Sequence, residues 1–350
     1  MSAPAWRLSK PIPFSDVNIS FVQNPKRPRI TGRSANAARL LPAAIGTART
    51  QSYSDVIGSD TELRPALWWD APSYDLLSFV ATDDRVDIAC TAAQYFDMVD
   101  VCEAVGHEYV LHRNDKDVPK RRSLRLRSEI GDPFDIGRRP FVPAIPTLVL
   151  LQPAIGPATF LLHARDGAAV ASASGLKHVF GGQFQPSSRH SIEHADEADI
   201  WLAVARELAE EMLDFEHANG SAGGRLSFTD EPLASLDRMR DDGHLRVWLL
   251  GLGLDPLTLW PDLLTVAVID DAVFRARFPD LPTSNSEGAF VGSSSNGREL
   301  RGFDFVQSRV DAITTDDGTH PAAAACIRLA WKHRAVILGH AIGEPGSPSV

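Results

Sequence analysis

The sequence predicts an α/β protein, and three observations lead there. Apolar runs of strand length occur at Thr147–Leu151, Ala158–Ala164, Leu245–Leu250 and Leu263–Ile269. Two stretches, Asp199–Phe215 and Pro321–Ile337, instead repeat their apolar residues at helical spacing. The chain has 350 residues, 44% of them hydrophobic, enough for one large core or two modest ones.

Residues 1–65 read as irregular, because Pro4, Pro11, Pro13, Pro25, Pro28, Pro42 and Pro65 interrupt every candidate element. Within them, Lys26-Arg27-Pro28-Arg29 is a basic patch that could touch phosphate, although such patches are more often solvated loops. Strand patterns follow at Leu76–Val80 and Val86–Cys90. A helix is expected over Ala92–Val105, closed by Gly106, then a further strand at Tyr109–Leu111. Asn114–Arg139 is charged. There Arg125 and Arg127 alternate with Leu124 and Leu126, as a strand with one basic face would, either guarding a sheet edge or contacting an anion. Together, residues 1–139 read as an N-terminal α+β extension or subdomain without recognisable chemistry.

From Pro140 the pattern changes to short apolar strands. Arg165-Asp166-Gly167 is expected to turn a hairpin into a strand at Ala168–Ser172. A strand at His178–Gly181 leads into Gly181-Gly182, and a polar insert, Ser187–Glu197, precedes the helix of Asp199–Phe215, expected to end near Asn219-Gly220. Ser221–Gly224 reads as a connection and Ser284–Gly297 as a Ser/Gly/Asn loop. Phe303–Val306 is expected to be a strand. A last helix has Pro321 in its first turn, and Gly343–Val350 has the composition of a disordered tail. The second unit is therefore placed at 140–342.

Composition bounds the function. A net charge of −10 argues against a general nucleic-acid binder. Three widely spaced cysteines, Cys90, Cys102 and Cys326, suggest neither a disulfide framework nor a zinc site. No signal peptide or membrane-crossing apolar run is read, so a cytoplasmic protein is expected. The richness in Ala, Arg, Asp and Pro suggests a bacterial source.

The chemistry concentrates in Arg206-Glu207-Leu208-Ala209-Glu210-Glu211. Ile200, Val204, Leu208 and Met212 form an apolar stripe, while Glu207, Glu210, Glu211 and Asp214 recur at spacings of three and four. Like charges so placed repel, which points to a cation supplied from outside. A surface helix with a solvated acidic face is the plain alternative. Strands, a Gly-Gly turn and a helix bearing R-E-L-x-E-E resemble the Nudix superfamily over about residues 140–340. The resemblance implies an α/β/α sandwich with a mixed sheet. It also implies Mg²⁺-dependent hydrolysis of a nucleoside diphosphate linked to another moiety, with Mn²⁺ as an alternative ion and a nucleotide-type small molecule as partner.

By the same resemblance, Glu207, Glu210 and Glu211 are metal ligands, Glu207 and Glu211 water activators, and Gly182 a carbonyl ligand, with Arg206 and Gly181 orienting the others. In that family an acid from a loop outside the R-E-L-x-E-E helix often contributes a base or ligand, and Glu287 is the candidate, against the plain reading of a turn carboxylate. The chain departs from the pattern at three places. The glutamate separated from the arginine by seven residues falls on Ala198, the loop after Gly182 is longer, and Leu213 replaces a small residue. These departures leave open a second reading, a nucleotide-binding sensor that hydrolyses weakly or not at all. Weaker candidates are His190 and His194, four apart, as metal ligands, and Gly251-Leu252-Gly253-Leu254, which reads as a strand end.

Overall fold

A computed structural model describes residues 1–25, 30, 52–59, 68–114, 124–165, 175–187, 198–215, 226–281, 284–285, 288–291 and 302–339. In chain order the first elements are β1 (Arg7–Pro13), β2 (Val17–Phe21), α1 (Tyr53–Ser59), β3 (Pro72–Ala81), β4 (Val86–Gln94), α2 (Tyr95–Asn114) and α3 (Arg125–Ile130). Next come β5 (Thr147–Gln152), β6 (Thr159–Phe160), β7 (Leu162–Arg165), β8 (Lys177–His178) and α4 (Ile200–Glu207), which continues as a π-turn, Leu208–Met212. After α5 (Leu233–Asp241), β9 (Leu245–Leu254), β10 (Pro261–Asp270) and α6 (Asp271–Arg277) lie the short strands β11 (Ser284–Asn285), β12 (Gly288–Val291) and β13 (Phe303–Asp304). The helices α7 (Gln307–Thr314), α8 (Pro321–Lys332) and α9 (Arg334–Leu338) close the described chain.

Among the described residues, a mixed sheet in the order β1-β9-β10-β5-β6-β13 organises the fold, with β10 and β5 parallel and the other pairs antiparallel. Its strands are apolar on both faces, as a sheet covered on both sides requires. Val149, Leu151, Ala267 and Ile269 point into one core with α4 and α5. Leu148, Leu150, Val266 and Val268 alternate with them into a second core under α7 and α8. The protein is thus α/β, with helices on both faces of a mixed sheet. The small sheet β2-β4-β3 packs its Tyr74, Leu76, Phe79 and Ile88 into the first of these cores, beside Phe141, Phe184 and Trp201. No helix among the described residues is long and apolar enough to cross a membrane.

Several expectations are corrected. The proline-rich start holds β1, β2 and α1. Pro11 and Pro13 are accommodated because β1 is an edge strand, where a missing N–H leaves no ladder bond unmade, and its register shifts between Arg7 and Ile12. Gly106 does not end a helix: α2 runs through it and includes Tyr109–Leu111. A Cβ at Gly106 would stand 3.1 Å from Thr258 Cγ2, so this glycine admits the 255–260 loop against the helix. Arg125–Ile130 is helical rather than extended. The Glu108 carboxylate accepts from Leu126 N–H (2.9 Å) and Arg127 N–H (3.2 Å), capping the helix start, and Arg127 donates to the carbonyls of Pro256 and Leu257. Two short strands, β11 and β12, lie where a loop was expected, because β12 pairs with β7. The run 158–164 divides into β6 and β7 in different sheets, and the last helix breaks at His333 into α8 and α9. The expected hairpin turn at 166–167, the strand at 168–172, the basic patch at 26–29, the connection at 221–224 and the tail at 343–350 lie outside the described residues.

Candidate functional site

Gly181 and Gly182 are set by the segment entering β5. Thr147 N–H donates to Phe180 O (2.6 Å), Ile145 N–H to Gly182 O (2.8 Å) and Phe184 N–H to Pro143 O (2.9 Å). The Gln183 side chain donates to Val142 O and Pro143 O (2.9 and 2.8 Å). Gly181 has φ +142°, and a Cβ there would lie 2.3 Å from Ile145 O. Only glycine fits, since both conformation and backbone approach exclude a side chain.

The facing helix begins at Asp199, whose carboxylate accepts from Trp201 N–H (2.7 Å) and Leu202 N–H (3.3 Å), a side-chain cap on otherwise unpaired donors. Trp201, Val204 and Leu208 bury the apolar stripe, as the sequence period requires. The acidic side does not face solvent as a regular α-helix would present it. After Glu207 the backbone widens into the π-turn, ending at Asp214 in the left-handed region (φ 54°), with Phe215 N–H bonded to Ala209 O at 3.0 Å. The helix therefore stops at Leu213, short of the expected Asn219-Gly220.

An ionic cluster packs against the glycine pair. Glu207 and Glu211 are buried, at 7% and 3% exposure, and Asp214 is exposed. Glu211 Oε2 accepts from Gly181 N–H at 2.9 Å. The Glu207 carboxylate lies so close to Gly182 that a Cβ there would come within 2.5 Å of Oε2. Arg206 is 2% exposed and joins the parts: Nη2 donates to Glu207 Oε1 (2.9 Å), Nη1 donates to Gln185 O (3.1 Å), and Nε stands 3.7 Å from Glu210 Oε1. Burial by itself would lower the pKa of Arg206. The charges of Glu207 and Glu210 and the Glu207 hydrogen bond outweigh that, holding the guanidinium above its ordinary value.

Arg206, Glu207, Glu210, Glu211, Gly181 and Gly182 thus come together in one place. Glu287, His190 and His194 lie outside the described residues. Among the described residues no three His, Cys, Asp or Glu side chains stand close enough to share one ion. Tyr74 was not singled out from the sequence, yet it borders the cluster. It is buried, its N–H donates to Phe184 O (3.0 Å), its ring lies 4.8 Å from that of Phe184, and it contributes to the field at Arg206. Nothing about a tyrosine in a strand pattern signals such a role; only the pairing of β3 with Phe184 brings it there.

A second set of buried ionisable groups lies around α2 and the start of β10. Burial, reinforced by Asp255, pushes Asp262 up to about 8 and Glu103 up to about 7. Burial likewise takes Asp100 up to about 6, although it accepts from Ser54 N–H at 2.6 Å. Arg139 is fully buried and donates to Leu259 O (2.6 Å) and Pro140 O (3.1 Å), so it ties backbone segments together without a carboxylate bond.

Comparison of the chain with protein-family models gives no match, and comparison with curated proteins gives none either.

Proposed function

We propose that the protein is a Nudix-like phosphoanhydride hydrolase that uses Mg²⁺, or Mn²⁺, to cleave a nucleoside diphosphate linked to another moiety. The observation that carries this reading is the packing of Arg206, Glu207, Glu210 and Glu211 against Gly181-Gly182. Burying such an ionic cluster is costly, and functional sites are where costs of this kind concentrate. The donor set fits Mg²⁺ in kind, since that ion takes hard oxygens and needs only one or two protein carboxylates, keeping water and substrate phosphate in its other positions. Glu207, Glu210 and Glu211 would hold it one or two at a time, since no three such side chains among the described residues stand close enough to share an ion, and the bound ion would supply neutralisation of diphosphate charge. Arg206 fixes the direction of Glu207 through their hydrogen bond and restrains Glu210 electrostatically. Gly181 N–H fixes Glu211, and the absent side chain at Gly182 leaves Glu207 its place. A carboxylate so oriented can accept a proton from an attacking water. We place the protein in the cytoplasm, in keeping with three free, buried cysteines.

A second reading is favoured by one observation: Glu207 and Glu211 are already bonded to Arg206 and Gly181. On it, the protein binds a nucleotide as a sensor without turnover. The purified protein, screened with Mg²⁺ or Mn²⁺ against nucleoside di- and triphosphates, sugar nucleotides and dinucleotides, separates the two. Turnover abolished by Glu211→Gln in a folded variant supports hydrolysis. Thermal stabilisation by a nucleotide without product supports the sensor. If neither ion nor nucleotide has any effect and Glu210 and Glu211 substitutions are silent, both readings fall.

A further inference from the structure

β8 is held from two sides by histidines. His163 of β7 stands opposite His178 in the antiparallel ladder. On the other side Lys177 N–H donates to Gly318 O (2.8 Å), and His320 N–H donates to Lys177 O (2.9 Å). The imidazoles of His178 and His320 lie against each other, centroids 4.4 Å apart and planes inclined by 36°. One hydrogen bond of each ring assigns its Nδ1. His320 caps α8, its Nδ1 accepting from Ala322 N–H at 3.3 Å, which requires a lone pair on that nitrogen. His178 Nδ1 is 2.6 Å from Val179 O, which can only accept, so that nitrogen carries the proton.

A proton added to His320 removes the cap acceptor and sets a positive charge at the N-terminus of a twelve-residue helix, where the helix dipole opposes it. A further proton on His178 would bring two imidazolium rings together. Ionisable groups on the elements that meet at this pair include Lys177 on β8, Asp316 and Asp317 in the turn before α8, and His163 on β7. Lys177 and Asp316 pair with one another, and the second Asp316 oxygen accepts from Gly318 N–H. Hydrogen bonding and charge from Lys177 hold Asp316 below its usual carboxylate range, so it stays ionised through the window in which histidines titrate.

We propose that His178 and His320 form an acid-sensitive latch: neutral, they clasp β8 to the start of α8; protonated, they loosen that contact. The proposal does not depend on the hydrolase reading and is tested without turnover. Amide hydrogen exchange of the full chain, corrected for intrinsic rates, is compared at about pH 7.5 and about pH 5 for peptides covering 177–182 and 320–326. Wild type should lose about tenfold or more in protection in both, the effect of one proton at one pH unit of linkage. His320→Asn retains a capping side chain without a titrating ring and should keep its protection. Equal loss in His320→Asn, or unchanged protection in wild type, overturns the latch. Should that variant not fold, long-range ¹⁵N spectra of the wild-type imidazoles decide. At about pH 7.5 they must show His320 Nδ1 bare and His178 Nδ1 protonated, and the opposite tautomers overturn the latch.

Discussion

Gly182→Ala tests whether Glu207 occupies the place that the glycine leaves open. The added Cβ would meet Glu207 Oε2 at 2.5 Å and Cδ at 2.6 Å, against about 3.5–4 Å for ordinary contact, so the carboxylate must retreat by about 1 Å. That stretches the 2.9 Å bond from Arg206 beyond hydrogen-bond reach inside a buried pair. A hydrogen bond to a charged group contributes about 1.5–3 kcal/mol, and loss of glycine freedom in the unfolded chain returns about 0.4–1. A net loss of about 1–2 kcal/mol is expected, read as a lower urea midpoint at unchanged slope. The decisive comparison is the same substitution in a Glu207→Ala background. Glu207→Ala alone should cost about 3–5 kcal/mol by stranding a buried guanidinium. Adding Gly182→Ala to it should only return about 0.4–1 kcal/mol of unfolded-chain freedom, giving a coupling of about 1.5–3 kcal/mol. If Gly182→Ala costs the same in both backgrounds, the carboxylate does not sit against the glycine and the reasoning fails.

Other outcomes follow from the same geometry. Gly181→Ala should be the more damaging glycine change, because its clash is with Ile145 O of the backbone at 2.3 Å and its φ is positive; loss of soluble folded protein, checked by far-UV circular dichroism, is expected. Arg206→Lys should lower stability by about 1–3 kcal/mol in urea titration, since a single ammonium cannot reach Gln185 O, Glu207 and Glu210 together. Asp199→Ala should cost about 1 kcal/mol by uncapping α4. Asp262 is neutral in the fold up to about pH 8 but ionises near its ordinary value when unfolded. Its stabilising contribution is therefore complete at low pH and declines by up to about 1.4 kcal/mol per pH unit as pH rises from about 4 to about 8. Asp262→Asn should flatten the fall in stability most clearly between about pH 7 and about pH 8, above the values to which Asp100 and Glu103 are raised.

Long, strongly patterned elements were legible in the sequence because burial on two faces leaves a mark on every residue. Leu263–Ile269 and Leu245–Leu250 lie within β10 and β9, and the stripe Ile200, Val204, Leu208 is a buried helix face. The juxtaposition of Glu207 and Glu211 with Gly181-Gly182 was anticipated from the R-E-L-x-E-E resemblance. What escaped depends on contacts remote in sequence. Gly106 sits mid-helix because Thr258 lies against it, and Arg125–Ile130 is helical because Glu108 caps it. Pro11 is tolerated only because β1 is an edge strand. The π-turn at Leu208–Met212, which carries the buried Glu211, leaves no mark at all in the apolar period.

The pairing of β1 with β9 also has a consequence for how the chain is made. Arg7 lies opposite Gly251 and Pro13 opposite Trp248, so β1 joins a strand that is synthesised long after it. At roughly 5–20 residues per second, β1 waits on the order of tens of seconds for its partner. In a protein lacking residues 1–16, β9 becomes the outer strand and presents unpaired amide and carbonyl groups beside Trp248 and Leu250. Such an edge recruits strands from other chains, so trimming this segment should be felt first as aggregation during expression.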